Sequence, residues 1–167
     1  MYQPTDQYRD RVSLRPAVMP DDETFLQELY ASTREDLGIA LSDEAQLRQL
    51  VLIQYKGRKV SLAAEFPDAE DWIVLLDEKP VGRLMLDHRS DSIYGVDIAV
   101  MSSARNAGVG TSILLRQFEK CAELRVYFAF NVAKGNPAIR LYERLGCTIE
   151  GDNGTHFLMT WRPDRSE

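Results

Sequence analysis

Arg105-Asn106-Ala107-Gly108-Val109-Gly110-Thr111 is the stretch whose reading decides the fold. An alternating apolar run, Ile93 to Val100, ends just before it, and amphipathic helical spacing begins inside it. A glycine-punctuated turn from a strand into a helix leaves several main-chain N–H groups unpaired and aimed at one spot, which suits a phosphate. Two better-known phosphate turns do not fit. A Walker loop needs GxxxxGK followed by Ser or Thr, whereas Thr111 and Ser112 follow Gly110 with no lysine. A dinucleotide fingerprint needs a third glycine where the helix continues through Leu114 and Leu115.

Outward toward the N-terminus, Ile93 to Val100 is the last of three strands in an expected antiparallel meander, after Trp72 to Leu76 and Val81 to Asp87, with turns at Asp77 to Pro80 and His88 to Ser92. Simple alternation puts Val96, Ile98 and Val100 on one face and Asp97 with Ala99 on the other. A carboxylate thus lies on a strand beside the turn. Further back, Val12 to Arg15 reads as a short strand and Pro20 to Ser32 as a first helix. Asp43 with Gln46 forms a capping pair for a second helix running to about Ala64. Met1 to Arg11 reads as a loose arm, and residues 12–163 as one domain.

Toward the C-terminus, the helix after Gly108 carries Leu114, Phe118, Cys121 and Ala122 on one stripe, and Val126, Phe128, Phe130 and Val132 then alternate as a strand. Asn136 suits a helix cap, Pro137 a first turn, and Gly146 the left-handed residue that ends a short helix. Ala138, Leu141, Tyr142 and Leu145 fall on its inner face. Cys147 to Glu150 and Thr155 to Trp161 make a closing hairpin. One mixed α/β sheet flanked by helices is the economical architecture.

The turn has the form RxxGxG. Downstream, Asn136-Pro137-Ala138-Ile139-Arg140-Leu141-Tyr142-Glu143-Arg144-Leu145-Gly146-Cys147 is similar to an NxAxxLYxxxGF segment. With both motifs in this order, the chain resembles the GNAT superfamily of acyl-CoA N-acyltransferases, firmly from about Val81 to Trp161. The resemblance implies an α/β fold whose two central parallel strands splay apart around the pantetheine arm, with acetyl-CoA as cosubstrate. It also implies that the first motif holds the CoA pyrophosphate and that Tyr142 stands beside the reacting sulfur. Asn106 and Ala107 depart from the Gly and basic residue frequent there, and Cys147 from a frequent Phe.

On that resemblance the cofactor side comprises Arg105, Asn106, Ala107, Gly108, Val109, Gly110 and Thr111 at the phosphates. Ile98, Ala99 and Val100 pair with pantetheine amides, and Asn136 bonds the cofactor end. Tyr142 is the general acid that protonates the leaving thiolate, and Asp97 is a base for the amine. Asp97 facing solvent, Tyr142 as core packing and Asn136 as a cap alone remain alternative readings. Arg34, Glu35 and Asp36 fall where the family often shapes its acceptor pocket, and the same residues also read as a solvated charge run. His88 and His156 each read as surface residues near turns.

Composition narrows the rest. At 44% hydrophobic and 28% charged residues the chain is an ordinary globular one, and its net charge of -6 argues against general nucleic-acid binding. No apolar run approaches the ~20 residues of a membrane span, and no apolar core of a signal peptide follows Met1. With two cysteines and no metal-ligand spacing, a cytoplasmic protein without metal is expected. The expected activity is N-acetylation of a small-molecule or peptide amine in a ternary complex. A non-catalytic acyl-CoA sensor is the alternative, and a homodimer is left open.

Overall fold

The computed structural model describes residues 10–34 and 43–164. Seven strands form one sheet in the order β1-β2-β3-β4-β5-β7-β6. They are β1 Val12–Pro16, β2 Glu70–Leu76, β3 Lys79–His88, β4 Ser92–Val100, β5 Tyr127–Ala133, β6 Thr148–Asp152 and β7 His156–Trp161. Strands β2 to β4 form the expected antiparallel meander, and β1 adds to its edge antiparallel to β2. Strands β4 and β5 are parallel, as a strand, helix, strand unit requires.

Helix α1 spans Glu23–Ser32, three residues shorter than its apolar spacing suggests. Asp22 does not cap it. Its carboxylate instead takes a two-pronged bond from Arg15, at 2.6 and 2.7 Å, and the N–H of Val18 at 2.8 Å. Helix α2, Glu44–Glu65, starts as read, with Asp43 accepting from the N–H groups of Ala45 and Gln46. Helix α3 is Val109–Leu124 and α4 is Ile139–Arg144. Ile113 rather than the exposed Ala122 completes the buried stripe of α3. Helix α4 begins later than Pro137. Asn136 still organises its approach, its side-chain oxygen accepting the N–H of Ala138 at 2.9 Å. Gly146 takes the left-handed conformation at φ +91°.

The helices cover both faces of the sheet. On one face Val109, Ile113, Leu114, Phe118 and Cys121 of α3, with Tyr142 of α4, pack on Val74, Leu84, Ile93, Phe128, Phe130 and Met159. The opposite face carries a smaller cluster of Leu26, Leu29, Tyr55 and Ile73 beneath α1 and α2. Residues 1–9, most of the expected arm, and Glu35 and Asp36 lie outside the described residues. Arg11 of the arm pairs with Asp77.

Candidate active site

The site begins with a fork in the sheet. Strands β4 and β5 pair only from Ser92 to Gly95 against Tyr127 to Phe130, although β4 continues to Val100 and β5 to Ala133. The cause lies on the other edge of β4. Leu86 pairs with Gly95 and Met85 with Asp97, so Val96 is an extra, bulged residue. A bulge bends its strand and increases the local twist. This one comes at the residue after the last pairing with β5. Gly95 closes the crotch, where a Cβ would come within 3.1 Å of both Ile98 Cδ1 and Phe128 Cζ.

The bulge also corrects the simple alternation. Ile93 is buried in the α3-side core and Ile98 packs against that same core, yet they are an odd number of residues apart. Uninterrupted alternation would separate them. Beyond the bulge, Ile98 and Val100 face α3 while Ala99 belongs with the opposite cluster. Asp97 shares the face of Ala99. Val96 drops out of the expected row with Ile98 and Val100, because it is the residue that shifts the phase.

The fork opens a cleft of about 140 Å³ lined by Arg58, Gly95, Val96, Asp97, Ile98, Phe130, Asn131, Val132, Ala133, Asn136, Tyr142 and His156. Tyr142 reaches it from the α3 side, where its ring meets Phe130 edge-on at 4.7 Å between centroids. Its hydroxyl makes no hydrogen bond to a described residue, and burial, with a smaller contribution from Cys147, pushes its pKa above the ordinary phenol value. The proton therefore stays on the oxygen at neutral pH. Cys147 and Cys121 are free and buried, and burial raises their thiols to about 12 and about 11, so neither offers a thiolate.

Asp97 lies on the α2 side of the gap. Arg58 donates to it at 3.2 Å and Arg83 at 3.4 Å, while Arg83 is also held two-pronged by Asp71 at 2.7 and 2.8 Å. Both carboxylate oxygens of Asp97 are thus engaged by guanidinium groups. Asn131, on the same face, donates to Tyr94 at 2.8 Å. His156 pairs with Ala133, and its neighbour Phe157 pairs with Val132 and packs on the α3-side core. Strand alternation therefore turns His156 to the α2 side with Asp97.

The glycine turn lies at the foot of α3. Asn106 has φ +60° and Gly108 φ +73°. Asparagine is among the side-chain-bearing residues that tolerate this region best, so Asn106 can replace a glycine here without breaking the turn. The first helical bond runs from Ser112 N–H to Gly108 C=O at 2.9 Å. None of the N–H groups from Asn106 to Thr111 donates to another described residue. A Cβ built on Gly110 would meet nothing nearer than Leu141 Cδ2 at 3.8 Å. No crowding within the protein demands glycine there, which leaves room for a ligand to approach the main chain. Arg105 is exposed and has no ion-pair partner among the described residues.

Some of the lining escaped the sequence. His156 and Arg58 are cleft residues. The signal for His156 was its alternation with Phe157 and Met159, but only the strand order places that face beside β5. Arg58 comes from a helix distant in sequence, and no local pattern marks it. His88 sits at the far end of β3 with Glu70, 3.1 Å away. Arg34 follows α1 and does not line the cleft.

A three-layer α/β fold, forked between two parallel strands and with a glycine turn opening the next helix, defines the class. Residues 25–147 match the model of the acetyltransferase (GNAT) family, and the chain belongs to that family. Its fold is similar to that of the PaiA N-acetyltransferase of Thermoplasma acidophilum, solved in complex with coenzyme A, at 14% identity and TM-score 0.68 over 91% of this chain and 99% of that one. A GNAT family acetyltransferase from Elizabethkingia anophelis with acetyl-CoA bound aligns at 14% identity and TM-score 0.60, covering 92% and 99%. The ribosomal-protein-S18-alanine N-acetyltransferase of Escherichia coli aligns at 14% and 0.62, covering 90% and 93%. At such identities the likeness is one of fold. No curated protein sequence matches the chain.

Proposed function

We propose that this protein transfers the acetyl group of acetyl-CoA to a primary amine by direct attack within a ternary complex. The observation that carries the reading is the run of N–H groups from Asn106 to Thr111 that donate to no described residue, together with the hydroxyl of Tyr142 in the fork, which bonds none either. Main-chain N–H groups at a helix start suit a pyrophosphate, and Arg105 adds an exposed positive charge. Main-chain groups of Ile98, Ala99 and Val100 lie past the last β4·β5 pairing and suit the amides of a pantetheine arm. Asn136 already spends its side-chain oxygen on Ala138, so its bond to the ligand would come from the amide nitrogen.

In this reading Tyr142 protonates the thiolate as the C–S bond breaks, and the second proton lost by the new amide nitrogen returns through water to the phenolate of Tyr142. Asp97 draws the acceptor's ammonium into the α2 side of the fork. Because Arg58 and Arg83 occupy its oxygens, attraction and positioning suit it better than removal of a proton. Acid and acceptor then approach the carbonyl from opposite sides of the sheet, which favours direct attack over a covalent enzyme intermediate. Two free, buried cysteines fit a reducing cytoplasm.

The test is consumption of acetyl-CoA against a panel of small-molecule and peptide amines, with products identified by mass spectrometry. Acetylated product from at least one primary amine supports transfer. Tight acetyl-CoA binding with no product from any amine would instead favour the sensor.

A further inference from the structure

The hairpin joining β6 and β7 orients the His156 ring. Asn153 Oδ1 lies 3.1 Å from the N–H of Thr155 and 2.8 Å from the N–H of His156. Two main-chain donors converge on it, so this atom is the carbonyl oxygen of the amide. Thr155 Oγ1 sits 3.2 Å from the same atom. Toward an amide oxygen a hydroxyl can only donate. The Thr155 lone pairs then face His156 Nδ1, 2.9 Å away. With its proton given to Asn153, the hydroxyl accepts from the ring, and that arrangement puts the ring proton on Nδ1. The neutral ring is thereby left with its lone pair on Nε2.

This ring lines the cleft on the α2 side, with Asp97, opposite the Tyr142 face. Charged groups near it are paired elsewhere. Lys134, next to its strand partner Ala133, bonds Asp152 of β6 at 2.7 Å, and Asp97 bonds Arg58 and Arg83.

We propose that His156 Nε2 is the general base of the acetyl transfer, accepting the proton of the acceptor's ammonium, with Thr155 and Asn153 fixing its tautomer. The inference rests on the transferase reading above. The acceptor enters as R–NH3⁺ and Nε2 takes one proton. The free electron pair on nitrogen forms the C–N bond, the C–S bond breaks, and the imidazolium releases its proton to water. The need is real, because an alkyl amine with pKa about 10.4 is neutral in only about one molecule in a few thousand at pH 7.

The experiment compares pH profiles of kcat/KM for the parent and His156→Gln, using acetyl-CoA and the panel amine that turns over fastest, with acetyl-CoA affinity measured alongside. His156 is exposed, so the variant keeps the fold. The parent, with a base on the protein, should level off at a lower pH than the variant. The variant should be about 10²-fold slower at pH 7 and keep rising toward the ionisation of the amine itself, at about 10.4, with unchanged acetyl-CoA affinity. Profiles of the same shape and height in parent and variant overturn the inference while leaving the transferase reading standing. Acetyl-CoA binding without turnover of any amine overturns both. Long-range ¹H–¹⁵N correlation on the free protein supplies an activity-independent reading. A neutral His156 protonated on Nδ1 supports the inference, and one protonated on Nε2 overturns it.

Discussion

Replacing Gly110 with alanine should move stability and ligand affinity in opposite directions. Gly110 is the second residue of α3, and its added Cβ would have no neighbour closer than 3.8 Å. The free protein should therefore gain the ordinary glycine-to-alanine increment of a helix, about 0.5–1 kcal/mol. For a chain of this length that corresponds to a melting temperature about 1–4 °C higher. The Cβ leans toward the helix N-terminus, as every helical Cβ does, and so toward the N–H groups of the cradle. Pushing a phosphate oxygen off one charge-assisted hydrogen bond costs about 1.5–3 kcal/mol, or about 10- to 150-fold in affinity. Differential scanning fluorimetry reads both effects. At acetyl-CoA a hundred times the parent Kd, linkage raises parent stability by about 2.7 kcal/mol. With a hundredfold weaker Kd, the same concentration gives the variant about 0.4 kcal/mol. The parent should shift by about 5–11 °C and the variant by about 1–2 °C. A variant that melts higher when free yet shifts as far as the parent would place the pyrophosphate away from this turn.

Three further outcomes follow from the same geometry. Tyr142→Phe removes a hydroxyl with no hydrogen-bond partner among the described residues, so melting temperature and acetyl-CoA affinity should hold while turnover falls by about 10²-fold or more; equal single-turnover rates would reduce Tyr142 to packing. Asp22 is held at a pKa of about 2, chiefly by its hydrogen bonds from Arg15 and also by Val18 N–H. A depressed carboxylate stabilises the fold above its unfolded value and loses that contribution as pH falls through the folded one, so urea midpoints should record a loss of about 2 kcal/mol between roughly pH 4 and pH 2 that Asp22→Asn abolishes. Gly82→Ala forces a Cβ to 2.4 Å from the main-chain oxygen of Ala99 and should cost about 1–3 kcal/mol in urea denaturation; a neutral result would mean β3 and β4 can part there freely.

What the sequence disclosed and what it hid separate along one physical line. Elements set by local pattern were legible: the Asp43 cap, the Gly146 stop, the seven strands and the glycine turn all depend on residues within a few positions. Most of the site depends on pairing between distant segments. Ile93 to Val100 reads as unbroken alternation because valine at position 96 fits either face, and only its opposition to Met85 and Leu86 reveals it as the extra residue. Strand order is equally non-local, and it alone brings His156 beside Ala133 and Asn131.

That hidden residue has consequences for the chemistry. With no bulge, Asp97 would face α3, on the side where Tyr142 packs, and the fork would lose the bend beside it. Val96 comes where the pairing with β5 ends, and beyond it Ile98 returns to the face of Ile93 with Asp97 opposite. In the proposed reading, a thioester laid through the gap would present its sulfur toward Tyr142 and its carbonyl toward an amine arriving past Asp97 and His156. On that proposal the two proton-transfer groups stand on opposite sides of the sheet with the substrate between them, so neither would neutralise the other before the bond is made.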